Sequence, residues 1–303
     1  MTTGGAVVPD DAVVTTRRYR IEHRTEYRYS DEVSSSYGRV SLRPRDFPGQ
    51  QCQDHQLTVD PVPDDESDGS DVYGNHTGYY QISHPHRVLS VVGVSRVQVQ
   101  RPVVDEVAAG QPWESARPAG PLGARAMEFA LPSTRIQLGP DVAAYAARSL
   151  QPGRPLLDAV LDLTHRIHAD FRYDSEATTV SSTIADVLNT RAGVCQDFAH
   201  LAVAALRTQG LACRYVSGYL ATDPPPGRER MVGADASHAW AAVRLPDGEW
   251  VGFDPTNDQL ADERYTVLAW GRDYEDVAPL RGIIFTDAES SEMSVSVDVA
   301  PLD

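Results

Sequence analysis

Residue types that together catalyse acyl transfer occur in order along the second half of the chain. Cys195 follows Gly193 at the start of an apolar-periodic segment, which predicts a thiol at the N-terminus of a helix. The positive end of the helix dipole favours the thiolate, which is the nucleophilic form of cysteine. His238 lies further on in an alternating stretch, and Asp254 follows a turn. Their order and types predict a nucleophile, a base and an orienting carboxylate.

The loop between the two strands that carry His238 and Asp254 decides whether these side chains can meet. The sequence Pro-Asp-Gly at 246–248 permits a three-residue loop whose glycine adopts the left-handed conformation. Leu245 would then pair with Glu249, and His238 and Asp254 would share one face of the sheet, one diagonal apart. A two-residue turn would put Asp254 on the opposite face. The triad hypothesis therefore requires the longer loop.

The predicted roles follow from thiol chemistry. His238 accepts the thiol proton or holds the thiolate as an ion pair, while Asp254 fixes the imidazole tautomer. Cys195 attacks a carbonyl carbon and forms a thioester. Backbone N–H groups at the helix start supply part of an oxyanion hole, and Tyr173 is a candidate for its second donor.

Asp197 and Trp240 are further residues that could line this site, together with Tyr173. Asp197 stands in the first turn of the predicted cysteine helix, where its charge complements the helix dipole. The sequence leaves open whether it stabilises the helix, lines the site or does both.

Composition restricts the class of protein. With 303 residues and a net charge of −16, the chain is expected to repel nucleic acids and anionic membrane surfaces. It shows no signal-peptide pattern and no apolar run of membrane-spanning length, which predicts a cytoplasmic protein. Cys52 and Cys213 are predicted to be buried small hydrophobes, because three cysteines do not form a disulfide framework. The oligomeric state stays open.

No metal or cofactor is predicted. His200 lies five residues past Cys195, which is off the same-face spacing that a shared metal would need. His165 and His168 share a helix face, but no further ligand is obviously placed with them. The acidic stretch 60–73 lacks the terminal glutamate of an EF-hand, and we interpret it as a solvated hairpin loop.

The pattern of strands and helices predicts an α+β fold in two parts. We expect a flexible N-terminus over 1–16 and an antiparallel β-rich domain over 17–103. A linker rich in Pro, Gly, Ala and Glu follows over 104–121. The remaining range, 122–303, is expected to be a catalytic core in which helices precede an antiparallel sheet that includes the terminal valine-rich run.

Several stretches resemble the bacterial transglutaminase-like superfamily, which is related to papain-type thiol enzymes. They are GVCQDFAHL, RYVSGYL and SHAWAAVRLPDGEWVGFDPTN, and the resemblance covers about residues 155–260. The N-terminal motifs at 19–23 and 85–89 are similar to the β-rich domain that often precedes this core. The resemblance implies a papain/transglutaminase-like core with the cysteine on a helix and the His and Asp on adjacent strands.

For the site, the resemblance implies a triad of Cys195, His238 and Asp254, with Gly193 and Trp240 among the matching neighbours. It does not fix the reaction. The first hypothesis is a cysteine-dependent amide hydrolase or peptidase that acts on a peptide or another amide. The second is a transglutaminase, although neither a calcium loop nor an amine-channel signature is evident. The third is a binding or assembly module with a dormant site.

Overall fold

The computed structural model describes residues 15–179, 182–222 and 237–302. Residues 1–14 of the expected flexible N-terminus lie outside the described residues. The strands are β1 Thr16–Val40, β2 Gln50–Asp60, β3 Asp65–Ser70, β4 His76–Ile82, β5 His86–Gln100, β6 Arg172–Tyr173, β7 Ala192–Gly193, β8 Cys213–Leu220, β9 Ser237–Arg244, β10 Trp250–Asp254, β11 Gln259–Leu260, β12 Tyr265–Gly271, β13 Leu280–Thr286 and β14 Ser291–Leu302. The helices are α1 Glu106–Ala109, α2 Gly120–Gly123, α3 Pro140–Ala147, α4 Leu156–Asp170, α5 Ile184–Thr190, α6 Cys195–Thr208 and α7 Tyr274–Val277, with 3-10 turns at Trp113–Ala116 and Ala124–Ala130.

The long strand β1 organises the first sheet, whose order is β2-β5-β1-β4-β3. Its first half pairs with β5 on one edge and β14 on the other, and its second half pairs with β4 and β13. Alternate side chains such as Tyr19 and Ile21 are buried, while the arginines between them face outward. This period of two is the pattern that a half-buried antiparallel strand requires.

The second sheet, with the order β11-β10-β9-β8-β12, supports the cysteine helix α6. Ala239, Ala241 and Val243 of β9 are buried in the same core cluster as most of α6. From Asp197 to Arg207, every residue of this helix is buried. A helix that is buried on nearly all sides can hold its N-terminus at a fixed place relative to the sheet.

The hairpin between β9 and β10 has the predicted three-residue loop. The Leu245 N–H donates to the Glu249 carbonyl at 2.8 Å, and Gly248 has a φ of +104°. Ala241 pairs with Phe253, and the same register sets Trp240 opposite Asp254. The register prediction is therefore confirmed, and it places His238 and Asp254 on one face of the sheet.

The chain's last strands differ from their expected place. The sequence predicts that the valine-rich run around 295–299 belongs to the sheet of the core, but β13 and β14 pair with β1 in the first sheet. Val297 and Val299 are buried there, and the burial of these apolar side chains stabilises the pairing. The expected core range of 122–303 thus includes a segment that completes the N-terminal sheet.

Two other segments also differ from expectation. The predicted linker contains α1 and a 3-10 turn, and Ala109 and Trp113 are buried in the core around α6. The sequence predicts a loop for the acidic stretch, but its residues 65–70 form β3, which pairs with β4. All six residues of β3 are exposed, so backbone hydrogen bonds rather than burial place this edge strand.

Candidate active site

The loop before Cys195 is fixed by hydrogen bonds that lead into the helix. β6 pairs in parallel with β7, which sets Tyr173 beside Gly193. The carboxylate of Asp197 accepts from the Val194 N–H at 2.9 Å and from the Thr178 hydroxyl at 2.6 Å. A Cβ on Gly193 would lie 2.8 Å from an Asp197 oxygen, so only glycine fits there. Asp197 therefore stabilises the start of α6, which is one of the two roles that the sequence suggests for it.

Cys195 is the first residue of α6 and is partly exposed. The N–H groups of Cys195 and Gln196 open the helix and have no acceptor within it, so they can donate to a group outside the helix. The same end of the helix carries the positive pole of its dipole. The described structure thus puts the sulfur where a thiolate and an oxyanion both gain electrostatic stabilisation.

His238 and Asp254 form the closest polar pair of the site. The His238 Nε2 lies 2.7 Å from the Asp254 Oδ2, and the carboxylate is completely buried. Burial disfavours the imidazolium, but the hydrogen bond with Asp254 and the proximity of the Cys195 thiol outweigh it and raise the pKa of His238 to about 10. The ring therefore carries a proton on both nitrogens at neutral pH.

The ring of His238 connects the acid and the thiol through different atoms. Its Nε2 is engaged by Asp254, and both Cys195 and His238 line the same cavity, so Nδ1 is the ring nitrogen left for the thiol. A carboxylate that fixes the ring while the other nitrogen serves the nucleophile is the arrangement of a catalytic triad.

Asp254 is held by more than its histidine. Its Oδ2 also accepts from the Tyr265 hydroxyl at 2.7 Å and from the Asn257 side chain at 2.6 Å. Its Oδ1 accepts from the Thr256 N–H at 2.8 Å. Burial opposes ionisation, but the hydrogen bonds with His238, Asn257 and Tyr265 prevail and lower the pKa of Asp254. The carboxylate therefore stays charged and cannot rotate freely.

The two other residues proposed to line the site are adjacent to it rather than in the cavity over the thiol. Trp240 is buried and packs against the ring of His238, with centroids 6.1 Å apart, and against Tyr265. Tyr173 packs edge-on against Phe198 beside the cysteine helix. Burial and the proximity of Cys195 raise the pKa of Tyr173. Its role as an oxyanion donor stays a prediction.

The histidines considered as metal ligands have other contacts. His165 lies 2.8 Å from Asp258, and His168 lies 2.9 Å from the Thr256 carbonyl. His200 is buried, and its Nε2 accepts from the Tyr274 N–H at 3.2 Å. Among the described residues, no group of three or more His, Cys, Asp or Glu side chains could hold a metal ion.

The remaining cysteines are buried, as predicted, and their chemistry differs from that of a nucleophile. Cys213 is completely buried, which raises the pKa of its thiol to about 12. Burial also raises the pKa of Cys52. Neither thiol forms a thiolate at neutral pH.

In the part of the chain that the structure describes, no helix is both long and apolar enough to cross a bilayer.

Several site residues were not predicted from the sequence. Tyr265 and Asn257 hold Asp254, and Asn257 lies within the motif that carried the family resemblance, so its proximity was a usable signal. Residues of the first sheet, among them Thr25 and Met293, line the cavity over Cys195. They are far from it in sequence, and only the three-dimensional fold brings them there.

Comparison with known families agrees with this geometry. The family described as the bacterial transglutaminase-like N-terminal region matches residues 19–98, and the transglutaminase-like superfamily matches residues 143–255. The chain belongs to the bacterial transglutaminase-like superfamily. An uncharacterized protein of Mycobacterium tuberculosis H37Rv is 53% identical over 95% of this chain and 94% of its own length. One from Mycobacterium leprae is 31% identical over 94% of this chain and 99% of its own length.

A solved structure extends the comparison to the whole fold. The crystal structure of a candidate cysteine protease from Cytophaga hutchinsonii matches with a TM-score of 0.76 and 21% identity. The match covers 95% of this chain and 92% of that chain, so both the β-rich region and the core share its fold. A shorter match, 31% identical over 37% of this chain and 18% of its own length, is a protein-glutamine gamma-glutamyltransferase of Pseudomonas aeruginosa.

Proposed function

We propose that the protein is a cysteine-dependent amide hydrolase that acts on a peptide or another amide through a thioester intermediate. The observation that carries the proposal is the pair of His238 and the buried Asp254 at 2.7 Å, whose imidazole lines the same cavity as the thiol of Cys195. A nucleophile, a base and an orienting carboxylate beside one cavity are the parts that thiol acyl transfer needs.

In the acylation step, the sulfur of Cys195 attacks the amide carbonyl carbon, and the carbonyl oxygen takes the negative charge. First-turn N–H groups of α6 stabilise that oxyanion. The imidazolium of His238 then gives its Nδ1 proton to the leaving amine as the C–N bond breaks. The products of this step are a free amine and a thioester on Cys195, with a neutral imidazole.

In the deacylation step, the neutral imidazole of His238 accepts a proton from water as the water oxygen attacks the thioester carbon. The C–S bond breaks and releases a carboxylic acid, and the thiolate–imidazolium pair is restored. Asp254 keeps its negative charge throughout and stabilises the imidazolium. Each cycle therefore consumes one amide and one water and produces one acid and one amine.

Amine transfer is the second candidate, and the sequence match to the Pseudomonas aeruginosa glutamyltransferase favours it. The acylation step is the same in both reactions. The two differ only in whether water or an amine attacks the thioester. Incubation with a glutamine-containing peptide and a tagged primary amine separates them, because hydrolysis releases ammonia alone and transfer attaches the tag.

Selective alkylation tests the proposal without knowledge of the substrate. With the protein at mildly acidic pH, iodoacetamide should label Cys195 at least tenfold faster than Cys52 or Cys213, because only this thiol has an imidazolium partner. Peptide mass mapping gives the rate at each site, and the Cys195→Ala variant is the control. Equal labelling of the three thiols would instead support a dormant binding module.

A further inference from the structure

The cavity over Cys195 has walls from both sheets. One wall comes from the core and includes Gln196, Ser217 and His238. The opposite wall comes from β1 and β14 of the first sheet, and we call it the sheet wall. It consists of His23, Thr25, Tyr27, Met293 and Val295.

The register of β1 and β14 explains why the cavity forms at this place. Thr25 pairs with Val295, and Tyr27 pairs with Met293. Further along β14, Val297 and Val299 follow at the same spacing of two, so they share one face with Val295 and Met293. Val297 and Val299 are each 1% exposed, whereas Val295 is 48% and Met293 60% exposed. The same face of the sheet is thus packed at one end and open over the thiol at the other.

The chemistry of the cavity favours uncharged groups. Of the described residues that line it, none is Asp, Glu, Lys or Arg. His23 also lines it, but burial lowers the pKa of this histidine to about 4, and its ring nitrogens contact Tyr219 and Thr25. The charges of the proposed thiolate–imidazolium pair of Cys195 and His238 neutralise each other, and the imidazolium is also paired with Asp254. A charged substrate group would lose its hydration here without gaining a partner.

The size of the cavity restricts the bound group further. Its volume is about 180 Å³, which is below the roughly 300 Å³ at which ligand pockets begin. A space of this size over the thiol fits a single side chain rather than a whole ligand.

We propose that the sheet wall selects the acyl group of the substrate, and that it takes one uncharged side chain of about the size of leucine or glutamine next to the reacting carbonyl. This proposal rests on the proposed function, because it places an acyl group on Cys195. It gives the N-terminal sheet a role in specificity, with Val295 and Met293 as the positions that decide which side chain is accepted.

Alkylation by amino-acid chloromethyl ketones tests the sheet wall separately from hydrolysis. These reagents place a chosen side chain beside Cys195 and react with its thiolate, so their rates do not require turnover of an amide. We expect the N-acetyl leucine and glutamine reagents to label Cys195 at least tenfold faster than the glutamate and lysine reagents. Equal rates for the four reagents, after correction for their rates with free thiol, would overturn the proposal.

Charge substitutions on the sheet wall supply the second test. Val295→Glu should raise the lysine-to-leucine ratio of labelling rates at least tenfold, and Val295→Lys should do the same for the glutamate-to-leucine ratio. Val295 is half-exposed, so neither change buries a charge in the core. Ile283→Glu is the matched control, because this residue of β13 is 66% exposed and does not line the cavity.

The two sets of outcomes are distinguishable. If the ratios change as expected but no amide is hydrolysed or transferred, the sheet wall holds and the proposed function fails. If amides are turned over but Val295→Glu behaves like Ile283→Glu, the sheet wall does not select the acyl group. Iodoacetamide, which has no side chain, should label the wild type and Ile283→Glu at equal rates, and its rate with each Val295 variant is the reference for the four reagents.

Discussion

Replacing Asp254 by asparagine tests the central pair most directly, because the two side chains have nearly the same shape. The amide removes the negative charge that supports the imidazolium of His238. Its NH₂ group can also turn toward Nε2, which then becomes an acceptor and leaves the proton on Nδ1. We therefore expect a folded protein with a neutral ring in the wrong tautomer, as in serine triads with the same change.

The size of the effect follows from the pKa of His238. A rise from 6.5 to about 10 corresponds to about 5 kcal/mol in favour of the imidazolium. The Asp254 hydrogen bond is the largest favourable contribution, and burial opposes the charge, so its loss should leave the ring neutral near pH 7. The alkaline limb of the pH–rate profile should therefore move down by about three pH units. With the tautomer effect, kcat/KM at neutral pH should fall by about 10³- to 10⁴-fold.

The assay is the rate of Cys195 alkylation by iodoacetamide between pH 5 and pH 11, followed by kcat/KM once an amide substrate is in hand. Asp258→Asn is the matched control, because Asp258 also pairs with a histidine at 2.8 Å, but at the surface and away from the thiol. This control should leave both profiles unchanged.

Two results would refute the reasoning. One is an alkaline limb that stays in place in Asp254→Asn, which would mean that the carboxylate does not hold the imidazolium charge. The other is an equal loss of rate in Asp258→Asn, which would mean that the change acts through general electrostatics or through the fold.

The remaining predictions concern stability. The folded pKa of His238 lies above its unfolded value of 6.5, so its contribution is complete below pH 6.5 and is lost as the pH rises through about 10. The folded pKa of Asp254 lies below 3.8, so its contribution is present above pH 3.8 and is lost as the pH falls further. The Tm of the wild type should therefore decline above pH 9 more than that of Asp254→Asn, and parallel declines would contradict this. Tyr265→Phe removes a hydrogen bond to a buried carboxylate and should lower the free energy of unfolding by about 2 kcal/mol in urea titrations, whereas an unchanged value would show that the bond contributes nothing. Gly218→Ala should cost about 3 kcal/mol or more, because a Cβ there would lie 2.1 Å from the Thr266 carbonyl oxygen. Gly69→Ala, whose Cβ would lie 3.8 Å from its nearest neighbour, should stay within about 0.5 kcal/mol of the wild type, and similar losses in both glycine variants would contradict the steric argument.

Local sequence was sufficient where the geometry of a turn decides the structure. The Pro-Asp-Gly loop at 246–248 set the register of β9 and β10, and that register brought His238 and Asp254 together. The helix that begins at Cys195 could be predicted equally well, because its apolar residues recur with helical period. Both features depend on residues within about 20 positions of each other.

Local sequence failed where pairing is distant or solvent covers both faces of a strand. The valine-rich run of β14 has the alternating pattern of a strand, but this pattern does not identify its partner strand. The partner is β1, and paired residues such as Arg20 and Ala300 are more than 260 positions apart. The acidic strand β3 has no apolar face, so its sequence resembles that of a loop. The sheet wall could not be found for the same reason, since its members come from the two ends of the chain.

The pairing of β14 with β1 has a consequence for biosynthesis. During translation, Cys195, His238 and Asp254 leave the ribosomal exit tunnel well before residues 291–302. For an interval, the cavity over the thiol therefore lacks the part of its wall that β14 supplies. A nascent chain at that stage lacks Met293 and Val295, the two positions that we propose to select the acyl group. A chain cut after Val277 would lack β13 and β14 and would leave a bare edge along β1 that invites aggregation.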